Sequence, residues 1–133
     1  MARILLVEPI EKYRRVYETI LTHFGFETIA DESASDALDR LFDQESFDLV
    51  VANLDSVKEK NFRFLKLVRL RLCKSESQLP IITISDYESD VVFAKAFRHG
   101  VNLNILRDSN CSQELLREAR VFTGQIRSPF NVD

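Results

Sequence analysis

Cysteine, proline and glycine are scarce in this chain, with two, three and three copies among 133 residues. Cys73 and Cys111 lie far apart and fit no CxxC or other metal-ligand spacing, which excludes a zinc module and makes a reduced, intracellular setting the plain expectation. So few glycines leave none for a loop of the kind that cradles phosphate. Long hydrophobic runs are also missing. No stretch approaches the roughly 20 apolar residues that span a bilayer. The apolar run at the N-terminus is short and is closed by Glu8 and Pro9, so it does not read as a secretory signal, and a cytoplasmic location is expected. Nor is there an excess of charge of one sign. With 18 basic and 21 acidic residues the net charge is −3, which gives the chain as a whole no electrostatic reason to seek nucleic acid or an acidic membrane. Internal repeats and low-complexity segments are absent.

What is present suits one domain with a sizeable core: 45% hydrophobic and 29% charged residues, ordinary for a globular chain. Ile4 to Val7 is a continuous branched apolar run, as in a strand buried on both faces. Helical spacing follows from Ile10 to Phe24, with Tyr13, Val16, Tyr17, Ile20, Leu21 and Phe24 on one stripe and Gly25 at the capping position. Phe26 to Ala30 reads as a second strand. Ser33 or Ser35 is placed to cap a second helix, whose inner stripe would be Ala34, Ala37, Leu38, Leu41 and Phe42. Three further strands are expected at Phe47–Ala52, Pro80–Ser85 and Asn102–Leu106. Three further helices are expected at Phe62–Leu72, Asp90–His99 and Ser112–Phe122. Residues 1–123 form the domain. Residues 124–133 lose the periodicity and read as a tail, or as the start of a linker to an output domain in a longer chain.

Strict alternation of strand and helix predicts an α/β fold of three layers, with an open parallel sheet covered by helices on both faces. In such sheets ligands bind beyond the carboxyl ends of the strands. The residues just past those ends are Glu8, Asn53, Ser85 and Arg107.

The segments Arg-Ile-Leu-Leu-Val-Glu at 3–8, Phe-Asp-Leu-Val-Val-Ala-Asn at 47–53, Pro-Ile-Ile-Thr-Ile-Ser at 80–85, Ala-Phe-Arg-His-Gly-Val at 96–101 and Glu-Leu-Leu-Arg-Glu-Ala-Arg at 114–120 resemble the response-regulator receiver domain, over residues 3 to about 122. The resemblance implies a flavodoxin-like sheet of five strands in the order 2-1-3-4-5 with five helices. It also implies an aspartate at the end of the third strand that takes a phosphoryl group, an acidic pair after the first strand that helps hold magnesium, a hydroxyl ending the fourth strand, and a lysine ending the fifth. Here the acidic pair becomes Glu8 and Pro9, the acceptor Asn53, the hydroxyl Ser85 and the lysine Arg107. The switch position three residues before the lysine, often aromatic, becomes Asn104.

These departures change the chemistry. An amide has no anionic oxygen to attack phosphorus, so Asn53 cannot form an acyl phosphate. Magnesium prefers carboxylate oxygens, so Pro9 and Asn53 should leave its binding weak or absent. Arg107 is expected to pair with Glu8 or Asp55 and close the pocket without metal. The expectation is a pseudo-receiver: a phosphorylation-independent interaction or dimerisation module in bacterial two-component signalling, with no enzymatic activity and no cofactor. Asp55 is the alternative acceptor, although it reads more plainly as a loop acid that turns the chain. Ser85 reads as a loop hydrogen-bonder or as a sensor of a small molecule in the reshaped pocket. A flavin carrier would share the topology but needs a phosphate loop where Glu8 and Pro9 stand.

The dense basic run from Lys58 to Lys74 is expected to be a solvated face, and its nucleic-acid role is disfavoured. With Leu65, Val68 and Leu72 turned inward, Leu67 and Leu70 should point outward beside Arg63 as a partner surface. By resemblance, the face of the fourth helix, fifth strand and fifth helix is a second partner or homodimer surface, with Val91, Lys95 and Arg98 on or near it. His23 and His99, near helix ends, are explained by the helix dipole.

Overall fold

A computed structural model describes residues 1–125. Five parallel strands, β1 (Arg3–Val7), β2 (Glu27–Asp31), β3 (Leu49–Asn53), β4 (Ile81–Ser85) and β5 (Leu103–Leu106), form one sheet in the order β2-β1-β3-β4-β5. The helices are α1 (Glu11–His23), α2 (Ala34–Phe42), α3 (Leu54–Lys66), α4 (Asp90–Arg98) and α5 (Cys111–Phe122), and a π-helical turn, Leu67–Arg71, prolongs α3. This is the flavodoxin-like architecture that the alternation and the resemblance predicted.

The side chains of each strand alternate between two cores. Leu5, Val7, Val50, Ala52 and Ile81 face α2, α3 and α4. Ile4, Leu6, Leu49, Val51, Ile82, Ile84 and Ile105 face α1 and α5. Every residue of β3 and β4 is buried, as expected for central strands covered on both sides. In register, Val7 lies beside Ala52, Asn53 beside Ile84, and Ser85 beside Leu106, which brings the carboxyl ends of the central strands together at one edge.

Several expectations need correction. The third helix begins at Leu54, not at Phe62, because the Asn53 side chain caps it, accepting from the Asp55 amide at 2.9 Å. It is then interrupted: Glu59 is extended, and Lys60, Asn61 and Phe62 take left-handed φ values of 52°, 58° and 61°. The predicted segment is therefore the second half of a broken helix. Leu67 was expected outside but packs against the core. Phe64 is buried, so the inner arc of this helix is wider than predicted and extends toward Leu67. Val16, Phe24 and Phe42 were placed on inner stripes and are exposed. Each sits at the flank of a helix whose buried positions are narrower, Tyr17 and Leu21 in α1 and Ala37, Leu38 and Leu41 in α2. Of the two serines proposed to cap α2, Ser33 does so, accepting from the Asp36 amide.

Leu70 and Val91 stand out in solvent, 72% and 67% exposed, with Arg63, Lys95 and Arg98 also exposed. Both cysteines are free, Cys73 exposed and Cys111 buried. Among the described residues, no helix is long and apolar enough to cross a membrane. α5 ends at Phe122, and positions 126–133 of the expected tail lie outside the described residues.

Candidate functional site

Each strand that ends at the common edge delivers one polar side chain. β1 hands over Glu8, whose backbone N–H is still held by the Asp31 carbonyl of β2 at 3.0 Å. β3 ends in Asn53, β4 in Ser85, and β5 is followed by Arg107, whose N–H donates to the Ser85 carbonyl at 2.7 Å. The structure brings Glu8, Asn53 and Arg107 into direct contact.

Glu8 is 1% exposed, and the Arg107 side chain only 7%. Both carboxylate oxygens of Glu8 are occupied. Oε1 accepts from Arg107 Nη2 at 2.8 Å, and Oε2 from the Ile10 amide at 3.1 Å. Asn53 Nδ2 donates to both oxygens at 3.3 Å. An amide suits this place because it has two faces: its nitrogen donates to the carboxylate while its oxygen caps α3. Arg107 is held from four sides. It pairs with Glu8, donates from Nε to Asp86 Oδ1 at 2.7 Å, donates from Nη1 to the Tyr17 hydroxyl, and lies over the Tyr13 ring with 3.9 Å to its centroid. Burial works against its charge. The bond to Glu8, and then the electrostatic pull of Tyr17 and Glu8 and the bond to Asp86, outweigh that and hold its pKa above the ordinary arginine range. Tyr17 is raised as well, first by burial and then by its contact with Cys111.

Of the two partners expected for Arg107, Glu8 is the one engaged. Asp55 faces elsewhere. It is 60% exposed, accepts from the Tyr87 hydroxyl at 3.0 Å and pairs with Lys58 at 3.4 Å. Pro9 is exposed at the mouth and offers no side-chain donor. Ser85 is buried and belongs to a chain of hydrogen bonds: Thr83 to Asn104 Oδ1 (2.7 Å), Asn104 Nδ2 to Ser85 Oγ (3.0 Å), and Ser85 Oγ to the Tyr87 carbonyl (2.9 Å). The hydroxyl thus fixes the loop after β4, and Asn104 reads as the polar link between two strands.

The magnesium that the resemblance implies does not fit these residues. The single carboxylate of the inner site already accepts from three donors. Asn53 turns its nitrogen inward, and Asp31 is taken by Arg40 at 2.8 Å. The guanidinium of Arg107 already supplies a positive charge to the Glu8 carboxylate. Sequence reasoning missed Tyr13, Tyr17, Asp86 and Tyr87. The two tyrosines of α1 were visible as a helical stripe, but only the fold shows that the stripe ends against Arg107.

No protein-family model matches the chain. It is 28% identical over 99 residues to the two-component response regulator ARR12 of Arabidopsis thaliana, a match covering 74% of this chain and 16% of that protein. ARR10 of the same plant is also 28% identical, over 17% of its length. The chain therefore spans about a sixth of these curated relatives. Among solved structures, a CheY-like receiver domain from Methanospirillum hungatei superposes with a TM-score of 0.79 at 18% identity, covering 94% of this chain and 95% of that one. A chemotaxis response regulator of Vibrio cholerae gives 0.78 at 20%, covering 92% and 98%. The fold is that of CheY-like receivers, and the likeness to response regulators of two-component signalling is supported by both curated and structural neighbours.

Proposed function

We propose that this chain is a receiver domain whose acceptor position is chemically silent, and that it signals by binding and not by phosphotransfer. One observation carries the reading. At the position that resembles the acceptor, Asn53 presents an amide nitrogen to Glu8, and Arg107 closes the same carboxylate from the other side at 2.8 Å. Neither a nucleophilic oxygen nor a free carboxylate remains at the inner site. On this reading the scaffold is kept and the chemistry at the acceptor position is replaced by a fixed ion pair. Partners would bind through the exposed parts of α3 or the face of α4, β5 and α5, where Val91 and Phe97 stand out. An output domain in a longer chain is the other partner this reading allows. The setting proposed is two-component-type signal transduction, which the likeness to response regulators supports.

The test is intact mass after incubation with acetyl phosphate and magnesium, on the wild type and on Asn53→Asp. The wild type should stay unmodified. A phosphoryl adduct on it would overturn the reading and turn the search to Asp55, which is the exposed carboxylate nearest in sequence.

A further inference from the structure

The cations of this chain differ in how they are neutralised. Arg3, Arg14, Arg40 and Arg107 all have a carboxylate partner, and Lys58 at the start of α3 pairs with Asp55. The pairing does not extend to the cations at the ends of α3 and α4. Among the described residues, Lys66, Lys74, Lys95 and Arg98 take part in no salt bridge.

Three of these line one groove of about 460 Å³ between the π-helical turn and the end of α4. Its walls include Lys66, Lys74, Arg98, His99, Leu70 and Cys73, and its one acidic lining residue is Glu76. Arg69 also lines the groove, donating to the loop carbonyls of Lys74 (3.0 Å), Ser75 (2.9 Å), Leu79 (2.7 Å) and Gly100 (2.6 Å), and so adds a further cation to the wall. His99 lies among these charges: burial first, and then Lys66 and Arg98, hold its pKa below the usual histidine value. Leu70 is 72% exposed in the midst of these charges.

We propose that this groove docks an acidic peptide segment of a partner protein, with one apolar side chain of that segment covering Leu70. The carboxylates would meet Lys66, Lys74 and Arg98, and the apolar contact would supply what charge alone lacks, a fixed register. A nucleic acid fits less well, since a sugar–phosphate backbone has no use for an exposed leucine on the groove wall and the chain as a whole is acidic. This rests on the reading of the chain as an interaction module and names the surface and chemistry of its partner.

The test is fluorescence anisotropy with a labelled peptide rich in glutamate and aspartate around one leucine. Controls are the same peptide with serine for leucine, and labelled single- and double-stranded oligonucleotides. Binding should weaken as salt rises. It should fall on the order of tenfold or more for Arg98→Glu and for Leu70→Ser, both at exposed positions. Bound peptide should slow the alkylation of Cys73, the exposed thiol. Equal binding of the leucine and serine peptides, tighter binding of an oligonucleotide, or no binding at all would overturn the proposal. Intact mass on the same sample separates the two readings. An unmodified chain that ignores the peptide sinks the groove alone, and a phosphorylated chain that binds it sinks only the silent-acceptor reading.

Discussion

Arg107 and Glu8 are 99 residues apart in sequence, and Nη2 of one lies 2.8 Å from Oε1 of the other. Both are almost wholly buried, so neither finds a substitute partner in water. Removing one member of such a pair costs far more than the pair itself is worth. Arg107→Ala is therefore expected to destabilise the fold by about 3 kcal/mol, read from urea unfolding, through the orphaned Glu8. Arg107→Lys should recover only part of this, since an ammonium cannot reach Glu8, Asp86 and Tyr17 with one planar fork. In the double variant with Glu8→Gln, the two losses should not add.

Asn53→Asp puts a second carboxylate against Glu8 and removes the amide that donates to it. The variant should be less stable than the wild type at neutral pH, by about 1–3 kcal/mol, and should regain stability as the medium is acidified and one of the two carboxyls takes a proton. Thermal melts at pH 7 and pH 5 check this. Stability equal to the wild type at pH 7 would mean that Asn53 does not hold Glu8 as the geometry indicates.

Gly100 adopts φ of 104°, and a Cβ there would lie 2.6 Å from Arg69 Nε. Gly100→Ala should thus be destabilising twice over, by backbone strain and by displacing a guanidinium that ties four carbonyls together. A loss of about 2–4 kcal/mol is expected. Gly25, at φ of 98° with nothing near its missing Cβ, provides the control: alanine there should cost only the backbone share, about 1 kcal/mol.

His99 stacks on Phe62 at 5.2 Å, and its folded pKa is lowered by burial and by Lys66 and Arg98. The unfolded chain then binds a proton more readily than the folded one, so stability falls as pH drops through the ordinary histidine range near 6.5. Above that range the effect vanishes. His99→Gln should flatten the dependence between pH 7.5 and 5.5, measured by the denaturation midpoint.

Much of this was legible in the sequence. The central strands showed as mostly branched apolar runs because they are buried on both faces, and Glu8, Asn53, Ser85 and Arg107 were found simply as the polar side chains at or just past their carboxyl ends. The pairing of Glu8 with Arg107 was within reach because charge balance left few partners. The start of α3 was hidden, since an asparagine that ends a strand and caps a helix with one side chain belongs to both periodicities. The left-handed break at Lys60, Asn61 and Phe62 has no glycine to announce it. The cage of Tyr13, Tyr17 and Asp86 around Arg107 joins three elements far apart in sequence, and only the sheet order places them together.

The cage has a further consequence. A bound ion exchanges with the medium, and its occupancy follows the concentration outside. A guanidinium carried by the chain has an effective concentration at Glu8 set by the fold alone. Dilution or a chelator would leave the charge of this pocket as it is, and its electrostatic state is fixed from the moment the sheet closes.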